Sequence, residues 1–220
     1  VTGVQTCALP IFRAWDPVAT SAQKSLLGPL LHAPLRALYL ATVFYSIAFG
    51  LLEVAVTALA TAQGRPAAAG IILALASVGS GMGALVYGSR HWDMPPQRQY
   101  VIAQFAMATG LFVLAPVSNL YLMAALCIFA CSPMAPVIAL QSVLVARHTP
   151  SQMMAESFTW AATALLGGVS AGIAAGGTLV ENHAPLWAML AAGGSTLAAV
   201  CVSALAIAPG KQAGAHDSDA

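Results

Sequence analysis

The chain alternates between long uncharged apolar stretches and short polar connections. An α-helix that crosses a bilayer needs about 20 mostly apolar residues. Residues 38–62 contain a single charge, and residues 67–89 contain none. Residues 99–146 are also uncharged but too long for one span, and turn residues at 116–119 divide them. The pattern therefore predicts six spans, at about 38–62, 67–89, 99–115, 120–146, 154–180 and 185–208.

Composition supports an all-α membrane protein rather than a soluble one. Hydrophobic residues make up 59% of the chain and charged residues 7%, whereas soluble domains carry roughly 25% charged residues. A membrane barrel would alternate apolar and polar residues in strands of about ten residues, and no stretch shows that pattern. The net charge of +1 and the absence of a basic cluster argue against a nucleic-acid partner.

Lysine and arginine residues are distributed unevenly over the two sides of the predicted helices. Seven fall on one side, namely Arg13, Lys24, Arg36, Arg90, Arg98, Arg147 and Lys211, whereas Arg65 lies on the other. Basic residues concentrate on the cytoplasmic side of membrane proteins. We therefore expect a bacterial inner-membrane protein with both ends in the cytoplasm. Residues 12–36 then form a cytoplasmic linker, and residues 209–220 form a disordered cytoplasmic tail.

The first eleven residues, VTGVQTCALPI, differ in character from the rest of the chain. They resemble a forward translation of a common sequencing-library adaptor oligonucleotide. We expect residues 1–11 to be an artefact of that origin and exclude them from the fold. On this expectation the natural N-terminus is missing and the chain is part of a longer protein.

The layout as a whole resembles the C-terminal half of a transporter of the major facilitator superfamily. Such transporters consist of two six-helix halves, each built from nested three-helix repeats, and the resemblance covers residues 12 to about 208. The best local match is GALVYGSR at 83–90, where the family often has G-x-L-x-D-R-x-G-R/K. Gly83 and Leu85 match, whereas Tyr87 and Gly88 replace the aspartate and arginine. The resemblance implies a cytoplasmic latch, with Arg90, Asp93, Arg147 and Glu156 as candidates.

Glycines four residues apart mark the second and fifth spans. They are Gly79 and Gly83 in the second span, and Gly168, Gly172 and Gly176 in the fifth. Small residues at this spacing form flat helix faces that admit a close neighbour. The resemblance implies that these faces meet the missing half, and packing within this bundle is the alternative.

Glu53 is the most informative single residue. It lies near the middle of the first span, where a carboxylate costs on the order of 3 kcal/mol, and the six predicted spans contain no lysine or arginine to pair with it. Polar and aromatic residues follow the same helix face at steps of three and four, namely Thr42, Tyr45, Ser46, Phe49 and Thr57. The resemblance places the first and fourth spans along the substrate path. Glu53 is then a proton-coupling carboxylate or the counter-charge of a cationic substrate; the alternative is a protonated glutamate that is hydrogen-bonded to a neighbour.

The fourth span contains CSPMAP at 131–136, with two prolines that each remove a backbone donor and bend the helix. Ser132 and Gln141 either satisfy the freed carbonyls or contact substrate. We therefore take Tyr45, Ser46, Phe49, Thr57, Ser132 and Gln141 as candidate cavity-lining residues.

The sequence contains no motif of an enzyme, a metal site or a cofactor site. The resemblance implies a fragment of a secondary active transporter that works by alternating access. We expect export of a small amphipathic or cationic compound in exchange for protons, with the bilayer, the missing N-terminal half, the substrate and protons as partners. The alternatives are a stand-alone six-helix scaffold protein and a half-transporter that forms homodimers.

Overall fold

The computed structural model describes residues 28–206. Residues 1–11, most of the predicted linker and the predicted tail lie outside the described residues. The long helices are α1 (Ala33–Ala62), α2 (Ala67–Gly88), α3 (Pro96–Leu114), α4a (Leu120–Ala130), α4b (Met134–His148), α5 (Met154–Asn182) and α6 (Pro185–Ala206). A short helix, Gly28–Leu31, precedes α1, and a 3₁₀ turn, Ser151–Met153, precedes α5. Between residues 28 and 206 there is no strand, so the all-α prediction is confirmed.

Among residues 28–206, five helical rods are long and apolar enough to cross a membrane, with α4a and α4b counted as one rod. The five are α1, α2, α4, α5 and α6. The third predicted span, α3, is not among them because its first turn contains Gln97, Arg98 and Gln99. The chain therefore has the helices of a multi-pass membrane protein.

Helix α1 begins earlier than the apolar pattern predicts. Residues 33–36 are helical, so α1 extends into the stretch that the sequence assigned to the linker. Pro34 lies in the first turn, where a missing N–H removes no helical hydrogen bond, and Arg36 is exposed. A hydropathy pattern marks the apolar part of a helix, and α1 extends beyond that part.

The predicted bend in the fourth span is confirmed as a break at residues 131–133, between α4a and α4b. Pro133 precedes the first residue of α4b, and Pro136 lies in its first turn. The hydroxyl of Ser132 donates to the carbonyl oxygen of Phe129 at 2.8 Å. Ser132 therefore satisfies a carbonyl freed by the break, which is one of the two roles expected of it.

Helix α1 is the centre of the bundle. It packs along α5 on one side and α6 on the other, and it crosses α4b. Helix α3 packs against α6 and both segments of α4, and α2 packs against α4. Side-chain hydrogen bonds join α1 to its neighbours, among them one from Tyr39 Oη to Ser157 O at 3.2 Å and one from Ser195 Oγ to Phe44 O at 2.6 Å.

The connections at the end of α1 lie together at one end of the bundle. The amide of Gln63 donates to Ser118 O at 2.6 Å, and the guanidinium of Arg65 donates to Tyr121 Oη at 3.0 Å. Both bonds join the α1–α2 turn to the start of α4a. Gly64 has a φ of 69° in this turn, a left-handed conformation that glycine adopts without a steric penalty.

Large apolar side chains cover the outside of the bundle. Leu85, Phe129 and Leu205 are 75%, 74% and 85% exposed. Such side chains favour a hydrocarbon surrounding over water. The outer surface therefore fits a bilayer, in agreement with the five membrane-compatible rods.

Candidate functional site

Glu53 is exposed on the outside of the bundle. It lies nine residues before Ala62, which corresponds to about 14 Å along the helix. Half of the bilayer hydrocarbon thickness is roughly 15 Å. Glu53 therefore lies near the middle of the bilayer when the end of α1 lies at the surface of the hydrocarbon layer.

An open groove of about 550 Å³ lies between α1 and α5 beside Glu53. Thr57 and Thr61 of α1 and Ile173 and Val180 of α5 are among its lining residues. Among the described residues, Glu53 is the only charged one that lines the groove. The carboxylate therefore lies at a mostly apolar groove that is open to the outside.

Within residues 28–206, no side chain hydrogen-bonds to the Glu53 carboxylate or forms a salt bridge with it. The nearest polar side chain along the helix, Thr57, donates its hydroxyl to the backbone oxygen of Glu53 at 2.8 Å. The alternative was a protonated glutamate that is hydrogen-bonded to a neighbour, and this part of the chain offers the Glu53 carboxylate no such neighbour. The carboxylate is available to a proton, to water or to a cation.

The predicted cavity stripe on α1 divides into a buried part and an exposed part. Thr42, Tyr45 and Ser46 are fully buried, whereas Glu53 and Thr57 are exposed. Tyr45 and Ser46 therefore pack against neighbouring helices and are not among the residues that line the groove beside Glu53. The reason is that α4b and α5 cover this face of α1 at the level of Tyr45, and the face is open at the level of Glu53.

Phe49 marks the transition between these two levels. It is partly buried, and its ring packs edge-on against Tyr45, with 5.7 Å between the ring centroids. Gln141 of α4b is also buried and accepts a hydrogen bond from the Tyr45 hydroxyl. Gln141 therefore connects two helices of the bundle instead of facing an open path.

Two buried polar residues of α3 were not among the predicted site residues. Tyr100 and Gln104 are completely buried, and neither the Tyr100 hydroxyl nor the Gln104 amide has a hydrogen-bond partner among the described residues. Their positions, one helical turn apart in an apolar run, are the sequence signal that identifies them. They lie on the inner face of α3.

The glycines of the second and fifth spans pack within the bundle. A Cβ atom at Gly79 or Gly83 would overlap the backbone of α4 at Ile128 or Ser132. Of the two interpretations of these glycines, the structure supports packing inside this bundle.

The glycine ladder of α5 packs against α1 in the same way. A Cβ atom at Gly168 would meet Val43 and Ser46. One at Gly172 would meet Ile47, and one at Gly176 would meet Val54. All five glycines that the sequence singled out therefore pack closely against a neighbouring helix.

Other glycines of the same two helices face outward. A Cβ atom would meet no other atom within 4 Å at Gly70, Gly81 and Gly88 of α2 or at Gly167 and Gly177 of α5. Gly81 and Gly83 are two residues apart, which turns them about 200° from each other around a helix. Helices α2 and α5 therefore each have a packed glycine face and a second, open one.

The latch candidates do not form ion pairs. Arg90 and Asp93 lie in the connection between α2 and α3, Arg147 in the last turn of α4b, and Glu156 in the first turn of α5. No salt bridge joins these four residues, which all fall inside the described range. The charges of Arg147 and Glu156 each suit the dipole of the helix end that carries them.

The α2–α3 connection is held instead by aromatic contacts. The indole N–H of Trp92 donates to Tyr87 O at 3.0 Å, and the two rings stack with centroids 5.5 Å apart. The Tyr87 hydroxyl donates to Oε1 of Gln99 in α3. Tyr87 stands where the family pattern has its aspartate, and its ring and hydroxyl join the ends of α2 and α3 without a charge.

Searches for similar proteins identify no relative. No protein-family model, curated protein or solved structure matches this chain. Among the described residues there is also no group of three or more His, Cys, Asp or Glu side chains that could hold a metal ion. The function is therefore inferred from the arrangement of the helices and from Glu53.

Proposed function

We propose that this chain is the C-terminal six-helix half of a secondary active transporter of the major facilitator superfamily. The observation that carries the proposal is the exposure of Glu53 on the outside of the bundle. Its distance from the end of α1 corresponds to the middle of a bilayer. An ionisable side chain in this position is costly against lipid, and such residues face a bundle interior, a water-filled cavity or a partner. This surface of α1 therefore requires an aqueous path or a second helical unit next to it.

The pattern of helix contacts supports an arrangement of two three-helix repeats. In such a repeat, α1 corresponds to α4, α2 to α5 and α3 to α6. The contact between α1 and α5 then corresponds to the contact between α4 and α2. The contact between α1 and α6 corresponds in the same way to the contact between α4 and α3. The contact between α1 and α2 corresponds to that between α4 and α5, and the contacts α1–α4 and α3–α6 correspond to themselves. All of these helix contacts are present in the bundle. The α5–α6 contact has no counterpart of similar extent between α2 and α3. Nested repeats of this kind are a feature of each half of such transporters.

The burial of the spans supports a second unit that packs against α2 and α5. In the most apolar 18-residue stretch of each helix, 22% of the residues are buried in α2 and 17% in α5. The corresponding share in α1 is 50%. Each of these two helices also carries more than one outward glycine, whereas α6 carries one, Gly194. Open small-residue faces let another helix approach closely in a membrane, so we assign these faces to the contact with the N-terminal half.

Glu53 and its groove determine the substrate class that we propose. A carboxylate without a fixed cation beside it balances the charge of a cationic substrate or carries a proton. The apolar wall of the groove suits an amphipathic compound, and no lysine or arginine lines the groove. We therefore propose export of a small amphipathic or cationic compound in exchange for protons, by rocking of the two halves in a bacterial inner membrane.

The first test concerns the sequence upstream of Phe12. We propose that residues 1–11 derive from a library adaptor and that the gene continues upstream. Primers that exclude adaptor sequence should recover a reading frame with six further apolar spans in front of Phe12. A start codon directly in front of Phe12 would contradict the half-transporter. The open faces of α2 and α5 would then favour a homodimer of this chain.

The second test concerns transport by the complete protein. In inverted membrane vesicles with an imposed pH gradient, Glu53→Gln should abolish proton-driven uptake of a cationic fluorescent compound at an unchanged protein level. Glu181→Gln is the matched control, because Glu181 is exposed near the end of α5, and it should retain uptake. Equal uptake by wild type and Glu53→Gln would remove Glu53 from the mechanism.

A further inference from the structure

A cavity of about 340 Å³ lies between α2, α3 and α4, which are not the helices that form the Glu53 groove. Ser132 and Pro133 form part of its wall, because the break between α4a and α4b interrupts the helix surface there. Its apolar lining includes Met82, Val86, Trp92, Ile102, Ala106 and Phe129. The volume is within the range of small-molecule and cofactor sites, roughly 300–1,000 Å³.

The polar side chains of the cavity wall are all engaged with neighbouring protein groups. Tyr87 donates to Gln99, and Gln99 donates in turn to Met94 O. The Trp92 indole donates to Tyr87 O, and Ser132 donates to Phe129 O. Each of these four side chains already donates a hydrogen bond to the protein, so the wall offers mainly hydrocarbon, aromatic and thioether surface. Ligand sites for polar molecules normally present a few convergent polar groups, and this one does not.

Two arginines lie close in the chain to residues of the cavity wall, and we call them the basic rim. Arg90 is between the lining residues Tyr87 and Trp92 in the sequence, and Arg98 directly precedes the lining residue Gln99. Both arginines are exposed, and neither forms a salt bridge within the described part of the chain. Asp93 is the acidic residue of the same connection. Basic residues at the end of membrane helices attract anionic lipid headgroups.

We infer that this cavity binds one acyl chain of an anionic membrane phospholipid, whose phosphate lies at Arg90 and Arg98. The mostly apolar wall, whose polar side chains already bond to the protein, favours an alkyl chain over a polar compound. The basic rim favours an anionic headgroup over a zwitterionic one. The exposed side chains of Met82, Val86 and Ile102 leave the cavity open toward the lipid-compatible surface, so a chain enters from the bilayer.

The test uses the full chain in lipid nanodiscs that contain phosphatidylglycerol with a photoreactive group in one acyl chain. After irradiation, mass spectrometry of peptides locates the labelled residues. We expect labelling to concentrate on the cavity residues, including Ile102 and Ala106. Ala106→Trp should fill the cavity and remove this labelling, whereas Ala125→Trp, at an exposed position of α4a, should retain it. Competition by unlabelled phosphatidylglycerol measures the same site without any substitution.

The headgroup is tested with a phosphatidylcholine probe that carries the same chain. Each arginine that contacts the phosphate should contribute about fivefold in affinity, so Arg90→Gln and Arg98→Gln should each weaken labelling by phosphatidylglycerol and leave phosphatidylcholine unaffected. Labelling spread evenly over the outer surface, or unchanged in Ala106→Trp and by competitor, would overturn the acyl-chain site. Equal labelling by the two lipids would overturn the role of the arginines.

Discussion

The hydroxyl of Tyr45 in α1 donates a hydrogen bond to Oε1 of Gln141 in α4b, and both side chains are buried. This bond joins the two helices that exchange with each other in the proposed repeat symmetry. The bond stabilises the contact between α1 and α4b, because each side chain would otherwise leave an unpaired polar group in an apolar interior.

Tyr45→Phe should therefore lower the free energy of unfolding. We expect a loss of about 0.6–1.7 kcal/mol, the range for side-chain hydrogen bonds between membrane helices. Unfolding of the purified chain in mixed detergent micelles, followed by circular dichroism, measures the change.

The double variant Tyr45→Phe/Gln141→Leu separates the hydrogen bond from general packing. Replacement of both partners by apolar groups leaves no unpaired acceptor, so the double variant should be more stable than the sum of the two single losses predicts. Additive single losses would show that the two side chains do not interact.

Gly83 and Gly81 form a matched pair on α2. A Cβ atom at Gly83 would overlap Ser132 of α4, whereas one at Gly81 would meet no atom. Gly83→Ala should lower stability by about 1–3 kcal/mol through overpacking. Gly81→Ala should be neutral or stabilising by up to about 1 kcal/mol, because alanine favours a helix.

Thermal denaturation of both variants in the same detergent tests this pair. Similar melting temperatures for Gly83→Ala and wild type would mean that α2 and α4 pack less closely than the structure shows. In the complete transporter, a bulkier Gly81→Leu should instead weaken association with the N-terminal half, measured by co-purification of separately expressed halves.

Gln104 and Gln99 of α3 should respond to substitution in opposite ways. The Gln104 amide is buried without a partner among the described residues, so Gln104→Leu should raise the free energy of unfolding by about 1–3 kcal/mol. Gln99 bonds to Tyr87 and Met94, and Gln99→Leu should lower it by about 0.5–1.5 kcal/mol. A loss of stability in Gln104→Leu would indicate that its amide is satisfied in the folded protein.

The aqueous character of the Glu53 surface is open to chemical labelling. In the complete protein, with Cys127 and Cys131 replaced by alanine, a water-soluble maleimide should modify Glu53→Cys. Cys201 is the internal control, because it is exposed on α6 and should lie against lipid, where the reagent does not reach. Modification of Cys201 alone would place Glu53 against lipid or protein and contradict an aqueous path.

The extent of the helices could be predicted because it depends on local composition. Uncharged stretches of about 20 residues mark helices that a membrane accepts, and the prolines at 133 and 136 indicated the break in α4. The early start of α1 could not be predicted, because Arg36 lies in a helical turn beyond the apolar stretch. Helix continuity across that point depends on packing rather than on hydropathy.

The candidate site depends more strongly on the neighbouring helices than the extent of the helices does. Glu53 stood out because a charge in an apolar span is visible without any neighbour. The stripe around it, with Tyr45 and Ser46, was assigned to an open path because residues three and four apart share a helix face. Which part of that face is covered depends on where α4b and α5 cross α1, and that is set by residues far away in the chain.

The sequence by itself determined that this is an all-helical chain with membrane-compatible helices, that α4 is broken and that Glu53 requires a special environment. Only the tertiary structure decided that Tyr45 meets Gln141, that Gly83 is packed and that Gly81 is open. The reason is that lipid and protein interior are similarly apolar, so residues that face either one look alike in a hydropathy pattern. The identity of a helix's neighbours comes from shape complementarity between faces, which appears only once the helices are assembled.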